Sequence, residues 1–148
     1  MLDWLRANKP REMSTALLHG DPNPANYLFA GTRLAAVLDW ELALIGDPRL
    51  DLGFVAAIQC VFGGAWALDA AAHVRGYAAA RPDADLRHLD YFEALGLFRL
   101  TGFLHAAERL RGSDVSELRD RLHRRFEAIA SGSAGDPLAP ASGHRGEV

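Results

Sequence analysis

Apolar residues follow two different rhythms along this chain. From Thr15 to Leu38 they come in short runs, Thr15 to Leu18, Tyr27 to Phe29 and Leu34 to Leu38, separated by Gly, Pro and Asn. That punctuation predicts three short strands, with Ala30-Gly31-Thr32-Arg33 as a hairpin turn. From Leu50 onward the spacing becomes helical. Leu50, Phe54, Ala57 and Val61 define one helix face, with Asp47 as its side-chain N-cap, Pro48 in its first turn and Gly63-Gly64 as its break. A second helix is predicted from Ala65 to Ala80, before Arg81-Pro82. A third, capped by Asp85, runs to Arg111 with a broad stripe of Leu89, Phe92, Leu95, Phe98, Leu100, Phe103, Leu104 and Leu110, and Gly112 stops it. Asp114 and Glu117 form a capping pair for a fourth helix reaching Ala130. Ahead of the strands, Leu2, Trp4 and Leu5 read as the last turns of a helix halted by Pro10. There is no internal repeat.

Strands first and helices afterwards make this an α+β chain. Residues 1–130 are expected to form the folded unit. Ser131 to Val148, rich in Gly, Ser, Ala and Pro, is expected to be a disordered tail. At 148 residues, 49% hydrophobic and 24% charged, the chain has the size and polarity of one domain with a substantial core. A net charge of -3, with Lys and Arg scattered apart from Arg119, Arg121, Arg124 and Arg125, argues against nucleic acid as a partner. The lone Cys60 lies in an apolar run and reads as a small buried hydrophobe, and a cytoplasmic setting is expected. Met1 to Arg11 lacks the apolar core of an export signal, and no stretch is long and apolar enough to anchor in a membrane.

The chemistry concentrates between the strands. His19-Gly20-Asp21-Pro22-Asn23-Pro24-Ala25-Asn26 is followed by Leu38-Asp39-Trp40-Glu41 and by Gly46-Asp47-Pro48-Arg49-Leu50-Asp51-Leu52. Phosphoryl transfer needs a hydroxyl aligned with the terminal phosphate, a group to take or orient its proton, and hard oxygens for Mg2+. Asp21 is the candidate catalytic base. Asn26, five residues on, offers an amide oxygen to Mg2+, and Asp39 on the next strand end offers a charged one. Pro22 and Pro24 fix backbone torsions between them.

HGDPNPAN, LDWE and GDPRLDL together resemble the catalytic core of the aminoglycoside phosphotransferase family, small-molecule relatives of the protein kinases. The resemblance spans Leu2 to about Arg111 and implies the C-terminal lobe of a kinase-like fold. It implies Asp21 as base, Asn26 and Asp39 as Mg2+ ligands that also hold ATP, and Asp51 as a carboxylate bracing the catalytic loop. LDWE, with Asp90-Tyr91-Phe92-Glu93-Ala94, is most similar to the branch associated with acyl-CoA dehydrogenases. The sequence shows no Gly-rich phosphate loop, no strand lysine with its helix glutamate and no adenine hinge. An absent N-terminal lobe and a truncated chain, with doubtful activity alone, are therefore expected. The surface left bare is expected to drive self-association. The partner implied is a small molecule bearing a hydroxyl.

Simpler roles stand beside these. Asp and Asn at turns bond their own backbone. Asp47 reads as a helix cap, and Asp51, one turn inside an apolar helix, needs a buried donor, for which the backbone amides near His19 are the natural choice. His19 reads as a packed, hydrogen-bonded histidine. Glu41 is either a solvated strand end or a substrate contact. His73, His88, His105 and His123 read as packing or surface residues, and Tyr91, Glu93, Trp66 and Arg99 are candidates for an acceptor pocket. The alternative functions are a non-catalytic kinase-like remnant or binding module, and a metal oxygenase or hydrolase built on His19-x-Asp21. The last needs a further histidine ligand that no predicted strand supplies.

Overall fold

The computed structural model describes residues 1–63 and 69–135. Its architecture is mixed α+β. Helix α1 (Leu2–Ala7) precedes strand β1 (Ala16–Leu18), then come β2 (Tyr27–Ala30), β3 (Arg33–Val37) and β4 (Leu44–Gly46), and finally α2 (Arg49–Phe62), α3 (Ala70–Ala80), α4 (Leu89–Arg111) and α5 (Ser116–Ala130). The strands form two separate antiparallel ribbons. β1 pairs with β4 in the register Ala16↔Gly46, Leu17↔Ile45 and Leu18↔Leu44. β2 pairs with β3, with a bulge between Leu28 and Phe29. Two 3-10 turns, Pro24–Asn26 and Trp40–Leu42, connect the ribbons.

β4 is the element that periodicity did not predict. Leu44-Ile45-Gly46 is too short to show alternation, and its partner β1 lies far away in sequence, so nothing local marks it as a strand. The three predicted strands, the turn at Gly31-Thr32 and the stops at Gly63 and Gly112 are all present. Gly64 and the predicted start of the second helix lie outside the described residues, as does the expected tail from residue 136 onward. The chain just before that point is still bonded: the Ser133 N–H donates to the Ala128 carbonyl at 2.8 Å, and Arg125 Nη1 donates to the Ala134 carbonyl at 2.8 Å.

The core lies between α2, α4 and α5. Phe54, Ala57, Ile58 and Val61 of α2 pack on Phe92, Leu97, Leu100 and Leu104 of α4, and Leu122, Phe126 and Ile129 of α5 close the cluster. Each such side chain, fully buried, contributes about 1.5–3 kcal/mol. Two glycines set the approach of α2 to α4: a Cβ at Gly53 would stand 2.3 Å from the Phe92 carbonyl carbon, and one at Gly96 would stand 3.0 Å from the Ala57 Cβ. The predicted α4 stripe is only partly inward. Leu89, Phe92, Leu100 and Leu104 are buried, whereas Phe103 is half exposed and Leu110 lies in solvent.

Asp85 does not cap α4, which begins at Leu89, four residues after Asp85. Its carboxylate accepts from the Arg87 backbone and pairs with Arg87 and Arg49, and two guanidinium groups outcompete a helix terminus for one carboxylate. Asp47 accepts from the Arg49 N–H at 3.0 Å, but α2 starts at Arg49, after Pro48. The Asp47 side chain does more than cap. It takes Arg49 Nη2 at 2.8 Å in an ion pair whose side chains are 0% and 1% exposed. Arg49 spends its other donors on the carbonyls of Glu12 and Arg87. Asp114 accepts from the Ser116 N–H at 3.0 Å, while Glu117 turns to Arg121.

Candidate active site

The site grows from the end of β1. After Leu18 the chain turns through Gly20 at φ 82°, where a Cβ would lie 2.1 Å from the Leu42 carbonyl oxygen, so only glycine lets the two loops meet there. Asp51, in the first turn of α2, braces this turn from below: it accepts from the His19 N–H at 2.8 Å and the Gly20 N–H at 3.1 Å. The donors expected for Asp51 are the ones found.

His19 is a clamp. Nε2 lies 2.7 Å from the Leu38 carbonyl, which can only accept, so Nε2 carries the proton. Nδ1 receives the Asp21 N–H at 3.3 Å and is therefore unprotonated. The imidazole is buried and leans on Trp40, with ring centroids 4.7 Å apart. Both nitrogens are committed, which leaves His19 no part as a base or as a metal ligand.

Asp21 is held by two carboxamides. Its Oδ2 accepts from Asn23 Nδ2 at 2.8 Å and from Asn26 Nδ2 at 3.1 Å, while Asn26 Nδ2 also reaches the Asp21 carbonyl at 2.9 Å. The 3-10 turn starting at Pro24 shapes this loop, and Asn23 Oδ1 caps it by accepting from the Ala25 N–H at 2.9 Å. Asp21 Oδ1 and Asn26 Oδ1 take no hydrogen bond among the described residues.

Asp39 is brought to the same place through its neighbour. The Leu38 N–H donates to the Asn26 carbonyl at 2.8 Å while the Leu38 carbonyl holds His19, so the backbone just before Asp39 is stitched to both ends of the catalytic-type loop. Asp39 adopts the left-handed conformation, φ 61° and ψ 59°, and is exposed, with no ion pair among the described residues. A non-glycine residue there costs about 1–3 kcal/mol, a strain typical of functional positions. No group of three or more His, Cys, Asp or Glu side chains fit to hold a metal occurs among the described residues. One carboxylate and one amide oxygen are instead a donor set suited to Mg2+ that takes its remaining oxygens from phosphate and water.

A cleft of about 260 Å³ opens beside Asp21, lined by Asn23, Glu41, Leu42, Phe54, Ile58, Phe62, Leu100 and Phe103. Periodicity placed Phe54, Leu100 and Phe103 on helix faces but had no means of showing that the faces meet at Asp21. Two of the residues expected in such a pocket lie elsewhere. Tyr91 is buried against Trp4 of α1, and Glu93, 2% exposed, is held by Arg125 Nε at 2.7 Å. Both are core residues because α1 and α5 land on that side of α4. Arg99 donates to the Gly20 carbonyl at 2.7 Å and lies 4.5 Å over the Phe54 ring, so it supports the loop without lining the cleft. Trp66 lies outside the described residues. Among the described residues, no helix is long and apolar enough to cross a membrane.

Residues 1–92, which carry the loop, Asp39 and Asp51, match the model of the phosphotransferase enzyme family, named APH. The chain belongs to that family. Among curated relatives, homoserine kinase of Methylocella silvestris is 36% identical over 83 residues, covering 55% of this chain and 26% of the relative. Acyl-CoA dehydrogenase family member 10 of Mus musculus is 39% identical over 56 residues, 36% of this chain and 5% of the relative. Acyl-CoA dehydrogenase family member 11 of Gallus gallus is 44% identical over 54 residues, 34% of this chain and 7% of the relative. This chain therefore spans about a quarter or less of the length of these relatives. No solved structure matches it significantly. Membership of the phosphotransferase family supports a kinase-like phosphotransfer function.

Proposed function

We propose that this phosphotransferase-family chain carries the catalytic loop for transfer of the terminal phosphate of ATP to a hydroxyl of a small molecule. The observation that carries the reading is the state of Asp21, a residue that lines the cleft: one carboxylate oxygen is anchored by Asn23 and Asn26, and the other takes no hydrogen bond among the described residues. Two donated hydrogen bonds fix the orientation of the carboxylate. In the reaction the acceptor oxygen bonds to phosphorus, the bond from phosphorus to the ADP oxygen breaks, and the hydroxyl proton passes to Asp21 Oδ1. Asn26 Oδ1 and the Asp39 carboxylate would hold Mg2+, which when bound neutralises charge on the phosphate oxygens. Asp51 and His19 keep the loop at fixed geometry through backbone amides and the Leu38 carbonyl.

The test is calorimetric titration with ATP, with and without Mg2+, combined with a transfer assay. Asp39→Ala is expected to abolish the Mg2+-dependent part of ATP binding. Asp21→Asn is expected to keep binding and to lower phosphoryl transfer by about 10²–10⁴-fold, the usual contribution of a positioned base. Unchanged affinity in Asp39→Ala would overturn the assignment of the Mg2+ ligands, and undiminished transfer in Asp21→Asn that of the base.

A further inference from the structure

The cleft beside Asp21 also has a chemical character, and we infer from it that the acceptor is a hydroxyl compound with an aromatic or branched aliphatic body and no anionic group. This inference rests on the phosphotransfer reading of the same site. Five of the lining side chains are Phe54, Ile58, Phe62, Leu100 and Phe103, drawn from facing sides of α2 and α4, with Leu42 above them. They form a floor that gains free energy only by covering apolar surface. The polar residues among the lining are Asp21, Asn23 and Glu41, which come from the loops and not from the two helices.

Charge narrows the class further. Among the described residues no Lys, Arg or His lines the cleft, and Glu41 takes part in no ion pair. An acceptor carboxylate or phosphate placed there would face the carboxylates of Asp21 and Glu41 with no cationic side chain among the described lining residues, which costs affinity. Arg99, which contacts the lining residue Phe54, is turned to the Gly20 carbonyl and to the Phe54 ring. The cleft therefore differs from what a polar amino acid would require, although a homoserine kinase is among the relatives. Its volume of about 260 Å³ suits a compact acceptor with a single ring or a short branched chain.

The experiment compares three probes on the full chain by ligand-observed saturation-transfer NMR, without nucleotide: 2-phenylethanol, 3-phenyllactate and L-homoserine. 2-Phenylethanol is expected to bind about ten-fold or more tightly than the other two, and Phe103→Ala to weaken it by about ten-fold, the worth of one lost ring contact. Phe103 is 49% exposed, so its truncation spares the core. Glu41→Lys is expected to bring 3-phenyllactate up toward 2-phenylethanol. Absence of 2-phenylethanol binding, homoserine binding equally well, or indifference to Phe103→Ala would each overturn the inference. A chain that shows the expected pattern yet transfers no phosphate from ATP overturns the phosphotransfer reading and leaves the character of the cleft standing. Transfer to homoserine that Phe103→Ala does not alter does the reverse.

Discussion

The helical half and the strand half of this molecule place charge differently, and the strand half leaves more of its large apolar side chains in solvent. In the helical half, charge is turned inward and matched: Arg49, Asp47 and Glu93 are no more than 2% exposed, and no buried side-chain nitrogen or oxygen among the described residues lacks a partner. In the strand half, Asp39 and Glu41 are exposed without ion pairs, and large apolar side chains stand in solvent, Leu17 at 66%, Phe29 at 61% and Ile45 at 68%. One half is built for stability. The other leaves carboxylates exposed on loops, the arrangement expected where loops on a rigid scaffold carry the chemistry. Asp51 joins the two, being rooted in α2 and bonded to the His19-Gly20 turn.

The largest effect is expected where the helical half is most committed. Asp47→Ala leaves the Arg49 guanidinium buried without its closest counter-charge, and a loss of about 3–5 kcal/mol is expected in denaturant unfolding. Burial alone pushes the Asp47 carboxyl upward, but the hydrogen bonds from Arg49 and the Ser14 N–H outweigh it and hold the group below the ordinary carboxylate value. A depressed folded value means that the stabilisation is complete above the unfolded value of about 3.9 and fades as pH falls through the lower, folded one. Acid unfolding curves should therefore be steeper for the wild type than for Asp47→Asn below about pH 4. Equal slopes would break the picture of a scaffold locked by inward charge.

At the joint, Asp51→Ala removes two charge-assisted acceptors and is expected to cost about 1–3 kcal/mol. Hydrogen exchange reads the comparison directly. Protection of the His19 and Gly20 amides should fall, while that of the Leu97 and Leu122 amides should drop only by the global change in stability. Uniform loss across both halves would mean that loop and helices unfold as one unit, contrary to the division drawn above.

Local chemistry explains which of these features sequence could show. The Asp51 bonds were legible because a carboxylate in the first turn of an apolar helix must find donors, and the nearest motif supplied backbone amides. Helix α2 was legible from periodicity and its stop from Gly63, and α5 from the Asp114 and Glu117 pair and the change of composition at Ser131. Asp47 was read only as a helix cap, and its pairing with Arg49 was not legible, because Arg49 turns inward to the Glu12 and Arg87 carbonyls, distant in sequence, which take its remaining donors. Tyr91 and Glu93 misled for the same reason. Whether a residue on α4 faces a pocket or a neighbour depends on where Trp4 and Arg125 arrive, and that is a tertiary outcome. The cleft, formed by two helix faces and one loop, was beyond reach of any single-element pattern.

The smallest expected change in stability tests the strand half. Phe29 sits on β2 with more than half its surface in solvent, so Phe29→Lys should alter unfolding free energy by no more than about 0.5 kcal/mol. Its effect is expected in association instead. Two short ribbons with exposed Leu17, Leu28, Phe29, Leu34 and Ile45 present apolar surface together with unpaired strand edges, a combination that favours pairing between copies. Sedimentation velocity of the wild type should show a concentration-dependent rise in mass, which Phe29→Lys together with Ile45→Lys reduces while leaving the circular dichroism spectrum in place. If the wild type sediments as one sharp monomer over the whole range, the exposed ribbons are tolerated as they stand. The contrast between the halves would then lie in their polar groups alone, because surface apolar residues would cost the strand half nothing.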